Sequence, residues 1–294
     1  MNRRTFIGTW SALWATASRA SAGLPGAALH DSRDADICMS KFKIALDRNL
    51  KSRPIGDVVV EMGKTFIGTP YLAYALEAPG EERLVVNLRG LDCVSFYENA
   101  LVLARCIKLG KTSFEDYKAQ LQLIRYRDGK IDGYPSRLHY TSDYIHDNAR
   151  RGTWQDVTRS LGGVVFENRV GFMSAHPDLY RQLKDNDAFR QRIAAQEAAI
   201  NARTRYFIPK DKVELILDQL QNGDILGTTT NAVGLDTSHT GIVIKDRGVT
   251  RFMHAPQAGK QVQISDKSLH DYLANNPGQT GIMVVRPLEP LMDA

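Results

Sequence analysis

Arg89-Gly90-Leu91-Asp92-Cys93-Val94-Ser95-Phe96-Tyr97 is the stretch on which the reading of this chain turns. Gly90-Leu91-Asp92 closes a loop, and Asp92 suits an N-cap because its short carboxylate can accept from the free N–H groups of a first helical turn. Val94, Tyr97, Leu101, Ala104 and Ile107 then recur at helical spacing until Gly110. The spacing predicts a helix over 93–109 that opens on Cys93. Position matters here because the thiolate is the attacking form of cysteine. Unbonded N–H groups and the macrodipole at a helix start favour negative charge, on a thiolate or on an oxyanion. Cys93 also reads as a small buried core thiol, the commonest fate of a free cysteine, and the helix alone does not decide between the two. Cys106, in the same helix but far past its first turn, reads as core.

Working outward, Leu84-Val85-Val86-Asn87-Leu88 reads as a short extended segment before that loop. Ile55 to Phe66 carries Val58, Val59, Met62 and Phe66 at helical spacing and stops at Gly68-Thr69-Pro70. Ile37 to Asn49 reads as a shorter helix after a polar linker, Asp31 to Asp36. At the N-terminus, Arg3-Arg4-Thr5-Phe6-Ile7, a mildly apolar run to Ala17 and Ala20-Ser21-Ala22 read as a twin-arginine-type signal peptide over 1–22. Such a leader implies delivery of the folded protein to the periplasm, and that run is too short and too rich in Ser and Thr to remain as a membrane span. Cys38 lacks a lipoprotein box, so no stable membrane anchor is expected after leader cleavage.

Downstream, residues from about 112 to 220 read as a mostly helical, loop-rich insertion, with an exposed amphipathic helix over 185–204. The last third changes character. Gly223 to Thr228, Thr240 to Lys245, Thr250 to His254, Gln261 to Ile264 and Ile282 to Arg286 are short β-type runs punctuated by Gly, Asn, Asp and Pro. The plan is α+β: a Cys-bearing helix packed on an antiparallel β-meander, with a large insertion between. The domain division is leader 1–22, linker and helix 23–54, and one domain over 55–294.

With 43% hydrophobic and 24% charged residues, the 294-residue chain can bury a sizeable core and shows no disorder signature. Its net charge of +5 is mostly leader: without Arg3, Arg4 and Arg19, 35 basic residues face 33 acidic ones, leaving +2. No Lys/Arg block or basic–aromatic stripe points to nucleic acid. Three cysteines, Cys38, Cys93 and Cys106, leave at least one thiol free and have no zinc-knuckle spacing; a Cys38–Cys106 disulfide is left open.

A nucleophilic thiol needs a base, and the base needs an orienting group. Ser238-His239-Thr240-Gly241-Ile242-Val243-Ile244 puts His239 at the start of a strong strand signal, and Arg251-Phe252-Met253-His254-Ala255 puts His254 on the next strand. A hairpin turning near Asp246-Arg247-Gly248 brings the two side by side, so that His239 takes the Cys93 proton while His254 holds its tautomer. Either histidine alone also reads as an ordinary surface or core residue.

Asp92-Cys93 opening a helix, Gly223-Asp224-Ile225-Leu226, His239-Thr240-Gly241-Ile242-Val243 and Met253-His254-Ala255 together resemble the NlpC-type branch of the papain-like cell-wall hydrolases. Gly68-Thr69-Pro70-Tyr71 is similar to that family's entry segment. The chain departs from the common pattern in the 146 positions between Cys93 and His239 and in Val94-Ser95-Phe96 after the cysteine. Both departures, with Arg125 to Gly129, Ser136 to Tyr140 and Leu235 to His239, resemble the N-acetylmuramoyl-L-alanine amidase-like branch, first catalogued as a domain of unknown function. The resemblance implies a papain-like fold and catalytic Cys93, His239 and His254. It also implies a muropeptide or peptidoglycan substrate cut between the muramoyl lactyl carbonyl and L-alanine through a Cys93 thioester, with no metal or organic cofactor.

Tyr71, Asp92 and Ser238 are candidate substrate contacts. The insertion supplies further ones: Tyr126, Tyr134 and Tyr140 for stacking on sugar rings, and Arg125, Arg127 and Arg137 for bidentate binding of peptide carboxylates. These six equally read as the insertion's own core and ion pairs. His139 is a candidate contact and a rival catalytic histidine, ranked below His239 because it lies outside the β-meander. Two other functions stay open: a stem-peptide endopeptidase of the same fold and a non-catalytic muropeptide-binding protein.

Overall fold

The computed structural model describes residues 28–291, so the leader reading falls outside them. Helix α1 spans Ser32–Asp47 and α2 spans Ile55–Lys64. The stretch 31–36 is therefore no linker. Asp31 caps α1 in a reciprocal capping box with Asp34. Asp34 is fully buried and accepts from the Leu88 N–H at 2.9 Å and Arg89 Nε at 3.1 Å, which ties the following loop to α1. The segment 84–88 does not join the sheet; Val85 makes a lone bridge to Leu29.

Helix α3 is Cys93–Leu109, as its periodicity predicts, and ends on Gly110 at φ 72°. The Asp92 carboxylate accepts from Ser95 N–H at 2.7 Å while the Asp92 N–H donates to Ser95 Oγ at 2.9 Å, which fixes the residue at which the helix begins. Every residue from Ser95 to Ile107 is buried. The cause is packing all round the helix: α1, α2 and the next helix, α4 (Phe114–Arg125), contact it, and the sheet closes the remaining side.

Helix α5 (Thr141–Arg150) is followed by strands β1 (Trp154–Asp156) and β2 (Val164–Val165). Two single-turn helices, α6 (Phe172–Ala175) and α7 (Arg181–Lys184), lead to α8 (Asp187–Asn201), exposed except along Ile193, Glu197 and Ile200. Strands β3 (Tyr206–Pro209), β4 (Ile225–Thr230), β5 (Thr237–Asp246), β6 (Val249–His254) and β7 (Gln263–Ile264) precede α9 (Leu269–Ala274) and β8 (Gln279–Pro287).

The sheet order is β2-β3-β8-β4-β5-β6-β7, with β1 also on β8, and the paired strands are antiparallel. It is not a plain meander, since β8 returns along the far side of β4. The region from 112 to 220 is likewise no separate helical appendage. Its β1 and β3 extend the sheet, and its α4 encloses α3.

Strand alternation sorts the two faces. Ile225, Ile242, Ile244, Met253, Met283 and Val285 point into the core shared with α2 and α3. Leu226, Val243, Phe252, Ile282 and Val284 point the other way, onto Val213 and Ile216 of a short helix (Lys210–Ile216) and Leu269 and Leu273 of α9. Tyr134, Tyr140, Val170, Met173, Leu183, Ile193 and Ile200 form a third, smaller core beneath the inserted loops. All three cysteines are free, with Cys38 and Cys106 buried. Among the described residues, no helix is long and apolar enough to cross a membrane.

Candidate active site

Cys93 is the first residue of α3, half-buried, and lines an open pocket of about 210 Å³. His139, Tyr140, Thr141, Asp236, Ser238, His239 and Thr240 share that lining. His239 comes from β5 beside a bulge: Thr228 of β4 faces His239, but Thr229 faces Thr237, so Ser238 has no opposite number. A bulge of this kind re-aims the residues next to it. Ser238 is left exposed, and His239 turns to its partner on β6.

That partner is His254. Its Nδ1 lies 2.8 Å from His239 Nε2, with the rings nearly perpendicular at 73°. Ile242 pairs with Met253, so the two histidines are diagonal rather than directly opposite. The floor beneath them is the Phe252 ring, with centroids 5.7 Å from His239 and 4.9 Å from His254. Gly241 makes room for it, because a Cβ there would come within 2.7 Å of that ring. His254 Nε2 is buried without a hydrogen-bond partner, and the Tyr272 ring stands edge-on at 5.2 Å.

Burial dominates the electrostatics. It holds His239 down at about 4 and His254 at about 3, the latter helped by its neighbour, so both rings are neutral near pH 7. Burial, reinforced by the Asp92 carboxylate, pushes the Cys93 thiol up to about 11, against the opposing pull of the nearby Thr240 hydroxyl and N–H and of the helix backbone. This overturns the expectation from helix position that the thiol is acidic: the resting pair is thiol and neutral imidazole. A thiol and an imidazole lining one pocket, with a second imidazole buried behind that can orient the first, are groups suited to attack on an acyl carbon.

The other candidates divide. His139, Tyr140 and Ser238 line the pocket, and Tyr71 lies beside Cys93 and Asp92. The Tyr71 segment is positioned by its N–H to Lys260 O and by Leu72 N–H to Leu91 O, at 2.7 and 3.0 Å. Tyr140 offers only its ring, since its hydroxyl donates to Glu197 at 2.6 Å. His139 Nε2 lies 3.2 Å from Tyr134 O, and burial and Arg137 hold its pKa at about 3. Asp92 is occupied as the α3 cap.

Arg125, Tyr126, Tyr134 and Arg137 do not reach the pocket. Arg125 is buried against Glu98, Tyr126 donates to Glu82, and Arg137 pairs with Glu77 and stacks on the Tyr134 ring. Arg127 pairs with Asp143, behind His139 and Tyr140. Apolar surroundings made ion pairs and tyrosine hydrogen bonds the only way to bury these polar atoms.

Sequence reasoning missed Thr141, Met173, Tyr180 and Asp236 in the lining, and Tyr272 behind His254. Asp236 had a signal, because it precedes Ser238 and His239 in the quoted motif. It is buried and accepts from Ser142 N and Oγ, each at 2.7 Å. Among the described residues, no cluster of His, Cys, Asp and Glu could hold a metal ion.

A central helix on an antiparallel sheet, with a thiol and a histidine at one pocket and a second histidine behind, describes a mixed α+β protein with hydrolase-like chemistry at its site. Residues 61–282 match the AmiA-like family, described as N-acetylmuramoyl-L-alanine amidase-like, and the chain belongs to that family. A solved N-acetylmuramoyl-L-alanine amidase from Bacteroides uniformis is similar at 36% identity and a TM-score of 0.76, over 80% of this chain and 99% of that one. A Bacteroides fragilis protein provisionally named a xylanase is 39% identical with a TM-score of 0.73, over 77% of this chain and 99% of that one. A Legionella pneumophila protein at 21% identity shares the fold, with a TM-score of 0.67 over 90% and 97% of the two chains. A comparison with curated protein sequences found no match.

Proposed function

We propose that this protein is a papain-like, NlpC-type cysteine amidase that hydrolyses the N-acetylmuramoyl-L-alanine bond of peptidoglycan fragments in the periplasm. The observation that carries the reading is the His239 Nε2 to His254 Nδ1 contact at 2.8 Å, with His239 lining the pocket where Cys93 opens α3. With the proton on His239 Nε2 donated to His254, the lone pair at His239 Nδ1 is free to take the Cys93 proton. The sulfur attacks the lactyl carbonyl carbon, and the amide N–H groups of the first α3 turn face the developing oxyanion. His239 returns the proton to the leaving L-alanine nitrogen, which gives a muramoyl thioester. Water, deprotonated by His239, then releases the muramoyl carboxylate and the thiol.

Burial raises the thiol and lowers the imidazole, so proton transfer in the resting site is uphill and is expected to accompany C–S bond formation. A glycosidase would need two carboxylates flanking the bond; among the described residues lining the pocket Asp236 is the one carboxylate, and it is occupied by Ser142 and Thr237. The test is mass spectrometry of muropeptides incubated with the protein. The amidase reading expects an intact stem peptide with a free L-alanine amine and a muramic sugar with a free lactyl carboxylate. Cleavage within the stem peptide would make it an endopeptidase, and normal turnover by Cys93→Ala would remove the cysteine mechanism altogether.

A further inference from the structure

Thr240 follows His239 on β5, so strand alternation turns its side chain to the other face of the sheet, the one packed by α3. Ile242 and Ile244, which share its face, lie in the core with the α3 residues, whereas Val243 lies in the opposite core. Thr240 is 3% exposed, yet its hydroxyl makes no hydrogen bond within the protein, although it lies with its own backbone N–H beside the Cys93 thiol. Valine would fill the same space without burying an unsatisfied hydroxyl, so an orphan donor at this point calls for a chemical use.

We propose that Thr240 is a further catalytic residue, whose hydroxyl donates a hydrogen bond to the Cys93 sulfur as His239 removes the thiol proton. The inference rests on the cysteine mechanism above and adds a residue to it. No proton leaves Thr240: the S–H proton goes to His239, and the sulfur's negative charge is shared with the Thr240 O–H until the C–S bond forms. A neutral thiol is a weak acceptor, which is why this bond is poorly made at rest and tightens when charge develops. Thr240 thus stands beside the sulfur from the strand position next to His239, which lines the same pocket, and the Ser238 bulge sets the phase of both.

The test uses Thr240→Val and Thr240→Ser in the full-length protein, with the rate of Cys93 alkylation by iodoacetamide at pH 8, localised by peptide mass spectrometry, and kcat/KM on muropeptide. Thr240→Val is expected to slow alkylation roughly tenfold and to lower kcat/KM roughly ten- to hundredfold, at unchanged melting temperature. Thr240→Ser, which keeps the hydroxyl, is expected to restore both. Equal alkylation and turnover in Thr240→Val and the parent protein would overturn the proposal, as would equal impairment of the Val and Ser variants. Alkylation needs no substrate, so these outcomes are separate from failure of the amidase reading, which would appear as unchanged turnover in Cys93→Ala.

Discussion

Replacing Arg125 with methionine separates a framework role from a substrate-binding one. Arg125 is 2% exposed, and its Nε and Nη2 lie 3.0 and 2.8 Å from Glu98 Oε2. Its Nη1 donates to Val85 O, while Tyr144 donates to the other Glu98 oxygen at 2.8 Å. Arg125→Met removes the positive charge and three of these bonds, leaving a fully buried carboxylate with one phenol donor. Removing one partner of a buried pair costs about 3–5 kcal/mol, because the other charge is stranded. At roughly 2–4 °C per kcal/mol for a domain of this size, melting is expected to fall by about 6–20 °C. Adding Glu98→Gln removes the stranded charge, so the double variant should melt above Arg125→Met. Thermal denaturation followed by circular dichroism, with KM for muropeptide measured well below the melting point, decides the matter. Unchanged melting together with a raised KM would refute the reasoning and return Arg125 to the substrate.

Three further expectations concern the site itself. Because His239 must be neutral to act as base and is held down at about 4, kcat/KM should be flat from pH 7 down to about 5 and fall as pH drops through about 4; an acid limb near 6.5 would contradict this. His139, His239 and His254 also have folded pKa values below their unfolded ones, so stability is full above about pH 6.5 and declines as pH falls toward 4, measurable by urea denaturation across that range. Asp92→Asn keeps an N-cap acceptor but removes the charge that raises the Cys93 pKa, so alkylation at pH 8 should quicken with little change in melting. His254→Ala should lower kcat on the order of a hundredfold while leaving Cys93 alkylation nearly unchanged, since in the proposed mechanism His254, which contacts His239, acts on the base and not on the thiol.

What the sequence made legible and what it hid follow the range of the forces involved. The α3 boundaries come from an N-cap and a C-terminal glycine, both local, and they match residue for residue. The five β-type runs of the last third likewise became β4 to β8, because alternation is written in consecutive residues. The return of β8 beside β4, and the addition of β1 and β3, depend on partners about fifty or more residues away and leave no local mark. The same holds for the arginines. Arg125, Arg127 and Arg137 looked like carboxylate ligands, and each does bind a carboxylate, but one supplied by this chain: Glu98, Asp143 and Glu77. Residue type announced the chemistry, while only tertiary packing decides whether the acid belongs to the protein or to its substrate.

The Cys93 thiol shows the same contest in energies. A helix start contributes typically 0.3–1 kcal/mol and at best about 2 to an anion, so it can lower a thiol pKa by little more than one unit. Burial and Asp92 act in the other direction and win, leaving the thiol near 11. The helix start therefore does not store a thiolate. In the proposed mechanism its N–H groups, with Thr240 and His239, meet charge that appears only while a bond is forming, so their contribution is made to the transition state. A site built this way should react slowly with small alkylating agents near neutral pH and quickly with a substrate whose bound carbonyl sits beside the sulfur. That contrast is what distinguishes it from a cysteine kept as a ready thiolate.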